Sequence, residues 1–145
     1  MSKYKAKKCI IDDIEFDSKA EGAYYLLLKK LLDEEKIESF ELQPVFTLQK
    51  SCLDRDGKKI KPINLKADFI IYHLDGKPEI VDIKGYPTPV SLLKRKMFIK
   101  NFPQSKLIWL SYVKKYSGFI DYFDLMKIRR ENRKKKALLK SKQGK

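Results

Sequence analysis

Apolar residues recur at helical spacing through Ala20, Ala23, Tyr24, Leu27, Leu28, Leu31 and Leu32, between Asp17-Ser18 and the acidic run Asp33-Glu34-Glu35. A stripe of that period, opened by a serine able to cap it, predicts a helix over 18–35. From Phe40 to Leu48 apolar and polar positions mostly alternate, which predicts a strand that Pro44 confines to an edge or a bulge. The run Asp54-Arg55-Asp56-Gly57-Lys58 is a turn. Segments 65–73 and 79–84 are rich in β-formers and flank Leu74-Asp75-Gly76, the pattern of a hairpin. Gly85 to Pro89, with two prolines and a glycine, excludes regular structure. A second helix follows over 90–100, with Leu92, Leu93, Met97 and Phe98 available for one face, then a buried strand over 106–113. The chain closes with a helix from Phe119 to about Leu139, amphipathic through Phe119, Ile120, Phe123 and Met126 and strongly basic afterwards. The order α-β-β-β-α-β-α implies an α/β fold, a mixed sheet flanked by helices.

Within this pattern two aspartates are out of place. Asp68 and Asp82 stand among Ile, Val and Phe, where strands disfavour Asp and an unpaired carboxylate costs several kcal/mol. Asp82 and Lys84 lie two apart and share one strand face, leaving Val81 and Ile83 to the other. A two-residue Asp75-Gly76 turn would put Asp68 opposite Ile83, on the wrong face. A three-residue Leu74-Asp75-Gly76 loop puts Asp68 directly opposite Asp82 and uses Gly76 at the left-handed position such a loop requires. The second register is the expected one. Two carboxylates so placed repel unless a divalent cation lies between them, and hard oxygen ligands suit Mg²⁺ or Mn²⁺. A lysine beside that ion can orient the attacking water and offset phosphate charge.

Composition then changes the picture in two ways. Hydrophobic residues make up 43% and aromatics 12% of the 145 residues, enough for one domain with its own core. No segment has the length and apolarity of a membrane span, and the N-terminus lacks the apolar core of a signal peptide, so a soluble protein with no membrane partner is expected. Cys9 and Cys52 with the lone His73 make no zinc site and are expected to be free thiols. The net charge of +14, pI near 9.7, points to a polyanionic partner. Most of it lies at the ends: Lys3, Lys5, Lys7 and Lys8 at the start, and ten basic residues from Lys127 to Lys145 against Glu131 alone. This divides the chain into a basic arm at 1–8, a nearly neutral domain at 9–126 and a basic helix or tail at 127–145. A body that does chemistry and ends that hold phosphates would be so arranged.

Asp68, thirteen residues, then Asp82-Ile83-Lys84 resembles the PD-(D/E)XK nuclease motif, with Ala67 in place of the proline. With Asp17-Ser18-Lys19-Ala20-Glu21, Gln43-Pro44, Ala67-Asp68-Phe69, Gly85, Thr88, Lys94 and Lys96, residues 3–102 are similar to small phage and prophage endonucleases of that superfamily, related to Holliday-junction resolvases. The resemblance implies a restriction-endonuclease-like α-β-β-β-α-β core and a Mg²⁺- or Mn²⁺-dependent DNA endonuclease working in phage or prophage DNA metabolism in the cytoplasm of a bacterial host. It implies catalysis by Glu21, Asp68, Asp82 and Lys84, and metal held by Glu21, Asp68, Asp82 and the Ile83 carbonyl. Gln43, Thr88, Lys94 and Lys96, with Arg129, Arg130, Arg133 and Lys134 in the tail, are the expected DNA contacts.

Each residue also has a plainer role open to it. Glu21, three after Ser18, has capping-box spacing. Asp82 and Lys84 could be a same-face ion pair, Gln43 a polar strand residue, and Lys94 and Lys96 solvated helix lysines. Tyr112 and Tyr116 could stack on bases, whereas Trp109 is expected in the core and His73 beside the hairpin turn is expected to be structural. Two rivals follow: a structure-selective resolvase acting as a homodimer on branched DNA, and a non-catalytic nucleic-acid-binding protein whose acids merely satisfy one another.

Overall fold

In the computed structural model, residues 7–116 and 118–144 are described. Lys3 and Lys5 of the basic arm, and Lys145, lie outside the described residues, as does the Tyr116 side chain. The elements in chain order are β1 (Cys9–Ile11), β2 (Ile14–Phe16), α1 (Lys19–Asp33), β3 (Ser39–Leu42), β4 (Val45–Gln49), β5 (Cys52–Leu53), β6 (Lys59–Ile60) and β7 (Ile63–Lys66). Then come β8 (Phe69–Tyr72), β9 (Pro78–Ile83), α2 (Pro89–Asn101), β10 (Lys106–Val113), a 3-10 turn at Lys114–Tyr116, β11 (Gly118–Asp121) and α3 (Tyr122–Gln143).

The fold is α/β. Its main sheet has five strands in the order β11-β10-β9-β8-β3, mixed because β9 and β10 run parallel across the α2 crossover while the other neighbours are antiparallel. Alternation along β8 and β9 sends Phe69, Ile71 and Val81 to one face, where Tyr24, Tyr25 and Leu28 of α1 cover them. Ile70 and Ile80 point to the other face, against Phe98 of α2. None of the described helices is long and apolar enough to cross a membrane.

Several expected elements differ in detail. The buried stripe of α1 runs through Gly22, Tyr24, Tyr25 and Leu28, while Leu27 and Leu32 are exposed. On α2, Phe98 is fully buried but Leu92 and Leu93 face outward, because only the last turns of that helix meet the sheet. The strand expected over 40–48 is two strands in two different sheets, broken where Gln43 takes a positive φ of 52° before Pro44. Phe119 and Ile120, expected to begin the last helix, instead form β11, and the helix begins only at Tyr122, where the Asp121 carboxylate accepts from the N–H groups of Phe123 and Asp124.

The β1-β2 hairpin, which turns at Asp12-Asp13, packs on α1 through a glycine. A Cβ on Gly22 would stand 2.6 Å from the Cys9 sulfur and 2.9 Å from Ile11 Cδ1. Alanine favours an open helix over glycine by about 1 kcal/mol. Here Gly22→Ala should instead destabilise the protein by roughly 1–3 kcal/mol, the usual range for overpacking, read as a lower urea midpoint. A raised midpoint would show the hairpin to be loosely seated.

Candidate functional site

The site is built where β8 begins and β9 ends. Gly76 has φ +80°, Gly76 N–H donates to the His73 carbonyl, and the ladder pairs Phe69 with Val81 and Ile70 with Ile80. That is the three-residue-loop register, and it brings Asp68 to Asp82. The two carboxylates are tethered reciprocally. Asp68 N–H donates to Asp82 Oδ1 at 3.0 Å, and Ile83 N–H donates to Asp68 Oδ2 at 2.8 Å. Each acid thus spends one oxygen on the neighbouring strand's backbone and keeps the other for a different partner.

Burial sets the electrostatics. Asp82 is 3% exposed. Desolvation first, then the charges of Asp82 and Glu21, push the Asp68 carboxyl up to about 7. Burial also raises Asp82, opposed chiefly by Lys84, whose ammonium lies 3.7 Å from Asp82 Oδ2. Glu21 is raised by desolvation and by the neighbouring Asp17 charge, with Asp82 adding to it. Three carboxyls therefore hold their protons more tightly than usual around one lysine, the condition a cation would relieve.

Glu21 sits in the first turn of α1. Its backbone N–H caps on Ser18 Oγ at 3.1 Å, so the capping spacing is used by the main chain, while the residue itself borders two cavities. One, of about 150 Å³, also touches Gln43 and Asp68. The other is a cleft of about 780 Å³ at the carboxyl ends of the parallel strands, lined among others by Ile83, Lys84, Thr88, Tyr112 and Arg129. Such strand ends are where open α/β sheets take their ligands. Glu21, Asp68 and Asp82 act on one another's charge, yet among the described residues no three His, Cys, Asp or Glu side chains close into a ready metal site.

Lys84 is held from three directions that the sequence did not announce. Ser111, buried in β10, donates its hydroxyl to the Lys84 carbonyl at 2.6 Å, and Lys84 N–H donates to the Leu110 carbonyl at 2.7 Å. The ammonium stands 5.3 Å from the centre of the buried Trp109 ring. Arg95 of α2 also lies over Trp109 and, at 4.6 Å, over Phe123, so two cations share one aromatic support. Neither a lone serine in β10 nor one more helix cation on α2 signals such a role in the sequence.

The remaining expected contacts divide. Thr88 caps α2 in a capping box with Ser91 and borders the cleft. Gln43 reaches the smaller cavity. Arg129 reaches the cleft, whereas Arg130, Arg133 and Lys134 are exposed along α3 outside it. Lys94 and Lys96 are on α2 and line neither cavity, Lys96 facing solvent. Cys9 and Cys52 are free thiols, and His73 lies 3.7 Å from Glu79 beside the turn.

An α/β domain with a facing aspartate pair, Asp82 buried and Asp68 half-buried, a braced lysine and a cleft at its strand ends is the class that the geometry defines. A family model described as protein of unknown function (DUF1064) matches residues 1–118, and the chain belongs to that family. Neither the curated proteins nor the solved structures contain a match.

Proposed function

We propose that the chain is a metal-dependent DNA endonuclease of the PD-(D/E)XK type, hydrolysing phosphodiester bonds at Asp68, Asp82 and Lys84. The observation that carries this reading is the reciprocal tether, a buried and a half-buried acid each fixed through one oxygen by the other's strand, with the second Asp82 oxygen 3.7 Å from the Lys84 ammonium. The donor set fits Mg²⁺ or Mn²⁺. Mg²⁺ takes one or two carboxylates and completes its shell with water and substrate phosphate, so a pair suffices where no closed three-acid cage occurs among the described residues. Asp68 and Asp82 would hold the ion, with Glu21 and the Ile83 carbonyl at its margin. When bound, the metal supplies Lewis-acid stabilisation of phosphate charge and a more acidic water. Lys84, fixed by Asp82, Trp109 and Ser111, keeps its ammonium beside the acids, where it offsets phosphate charge and orients the attacking water. Glu21, which borders the same cavity as Asp68, would accept a proton from that side. Cleavage would leave a 5′-phosphate, as in the resembling nucleases.

The α1-β3-β8-β9-α2-β10 succession supports the same reading, being the core order expected of that superfamily. The test is nicking of supercoiled plasmid and cleavage of linear, nicked and four-way-junction DNA by the full chain, in Mg²⁺ or Mn²⁺ against EDTA. Metal-dependent cleavage is expected. Preference for the junction together with a dimer would favour the resolvase reading. Binding without cleavage in either metal would favour the rival in which the acids satisfy one another, a reading the same two hydrogen bonds also support.

The basic end has a separate role in this account. All described residues of α3 from Glu131 onward are exposed, and they carry most of the tail's positive charge. Removing residues 131–145 should weaken DNA binding across all sequences and flatten the dependence of log Kd on log salt, because phosphate contacts release counterions. An unchanged salt slope would show these charges to be idle.

A further inference from the structure

We infer that the cleft beside the acid pair is a subsite for one unpaired nucleotide, so that the DNA this site accepts carries a single-stranded segment, such as an overhang, flap or branch, next to the bond to be cut. The inference rests on the nuclease reading for the cut but not for the binding.

Size is the first argument. A volume of about 780 Å³ falls within the roughly 300–1,000 Å³ that encloses one small-molecule-sized ligand. A duplex keeps its bases stacked inside and can offer such a cleft only its backbone, whereas an unpaired nucleotide can place its base there as well.

The lining is the second. Tyr112, 51% exposed, projects from the end of β10, and its ring is braced edge-on by Phe119 at 5.3 Å. Tyr86, 77% exposed, stands on the irregular link after Lys84. Both aromatic rings border the cleft from neighbouring elements, and single strands are held by stacking their bases on such rings. Two cations, Lys84 and Arg129, border the same cleft and suit the phosphates on either side of the base. Arg129 also belongs to the basic stretch of α3 that starts at Lys127, so a strand leaving the cleft meets further positive charge along that helix. Asp17 on the α1 side adds negative charge to that wall and leaves it to base edges rather than phosphates.

The test uses the full-length Asp82→Asn protein without divalent metal, so that no cutting intervenes, and short DNA carrying 2-aminopurine at successive positions. The expected result is tighter binding of single strands and of duplexes with overhangs than of blunt duplex, with 2-aminopurine emission quenched at one position of the unpaired segment. Tyr112→Ala should weaken overhang binding about tenfold and abolish the quench, while leaving blunt-duplex binding within twofold; Tyr112→Phe should restore both. Tyr86→Ala should weaken overhang binding in the same selective way. Equal affinity for blunt and overhang DNA in the Asp82→Asn protein, or a quench that survives both alanine variants, would overturn the inference. If the wild type cuts nothing while selective binding and the quench hold, the nuclease reading fails and the subsite stands; if it cuts blunt and overhang DNA alike, the subsite fails and the nuclease reading stands.

Discussion

Asp82→Asn should abolish DNA cleavage, by several orders of magnitude in single-turnover rate, while leaving the fold and the affinity for DNA intact. The amide keeps an oxygen to accept the Asp68 N–H bond now made at 3.0 Å, so the hairpin register survives. One of two facing charges is removed from a position only 3% exposed, which eases repulsion and holds or raises the melting temperature. The same substitution strips a hard anionic ligand from the proposed ion, and the basic end of the chain still binds phosphates. A purely structural Asp82–Lys84 pair predicts the reverse: lost stability and unchanged activity. Thermal melts, filter binding and cleavage assays on the same preparation separate the two.

In the metal-free protein, stability should fall as pH rises from about 4 to 8. Asp68 ionises near its ordinary 3.8 in the unfolded chain but holds its proton up to about 7 in the native one, chiefly because it is buried and faces Asp82. Between those values the native state binds more protons than the unfolded state, so stability is full at low pH and is lost as pH rises through 7. The loss attributable to Asp68 is on the order of 4 kcal/mol at most, since about 1.4 kcal/mol accompanies each tenfold change in proton affinity. Glu21 and Asp82 are raised too and act in the same direction. Urea midpoints in EDTA at pH 5 and pH 8 should therefore decline, Asp68→Asn should reduce that decline, and millimolar Mg²⁺ should restore stability at pH 8. A decline of the same size in Asp68→Asn would remove this carboxyl as its cause.

What the sequence made legible was what local chemistry decides alone. A three-residue loop with glycine at its left-handed position determines the pairing of every residue in the hairpin, so the facing of Asp68 and Asp82 could be read from Leu74-Asp75-Gly76. The first helix announced itself through its period and its serine cap. The errors lie where tertiary packing decides between two patterns of the same residues. Phe119 and Ile120 fit the stripe of the helix that follows, yet they pair with Tyr112 and Ser111 across the sheet edge, because a strand there also covers Tyr24 of α1. The β1-β2 hairpin turns on Asp12 and Asp13, both at positive φ, a turn without the glycine that makes such turns visible. Around Lys84 the acids were legible as anomalies in apolar strands. Trp109, Ser111 and Arg95 were not, since a buried tryptophan, a strand serine and a helix arginine are ordinary until the parallel pairing of β9 with β10 sets Trp109 beside Asp82.

The central claim is that the Asp68–Asp82 pair exists to hold a divalent cation beside Lys84. It is met most directly by electron paramagnetic resonance of Mn²⁺ titrated into the full-length protein, with and without a short DNA. The account predicts Mn²⁺ bound to wild type, strengthened by DNA, displaced by excess Mg²⁺, and lost in both Asp68→Asn and Asp82→Asn while the two variants remain folded. Mn²⁺ that stays free in the presence of wild type and DNA, or that binds the two variants as it binds wild type, would contradict it.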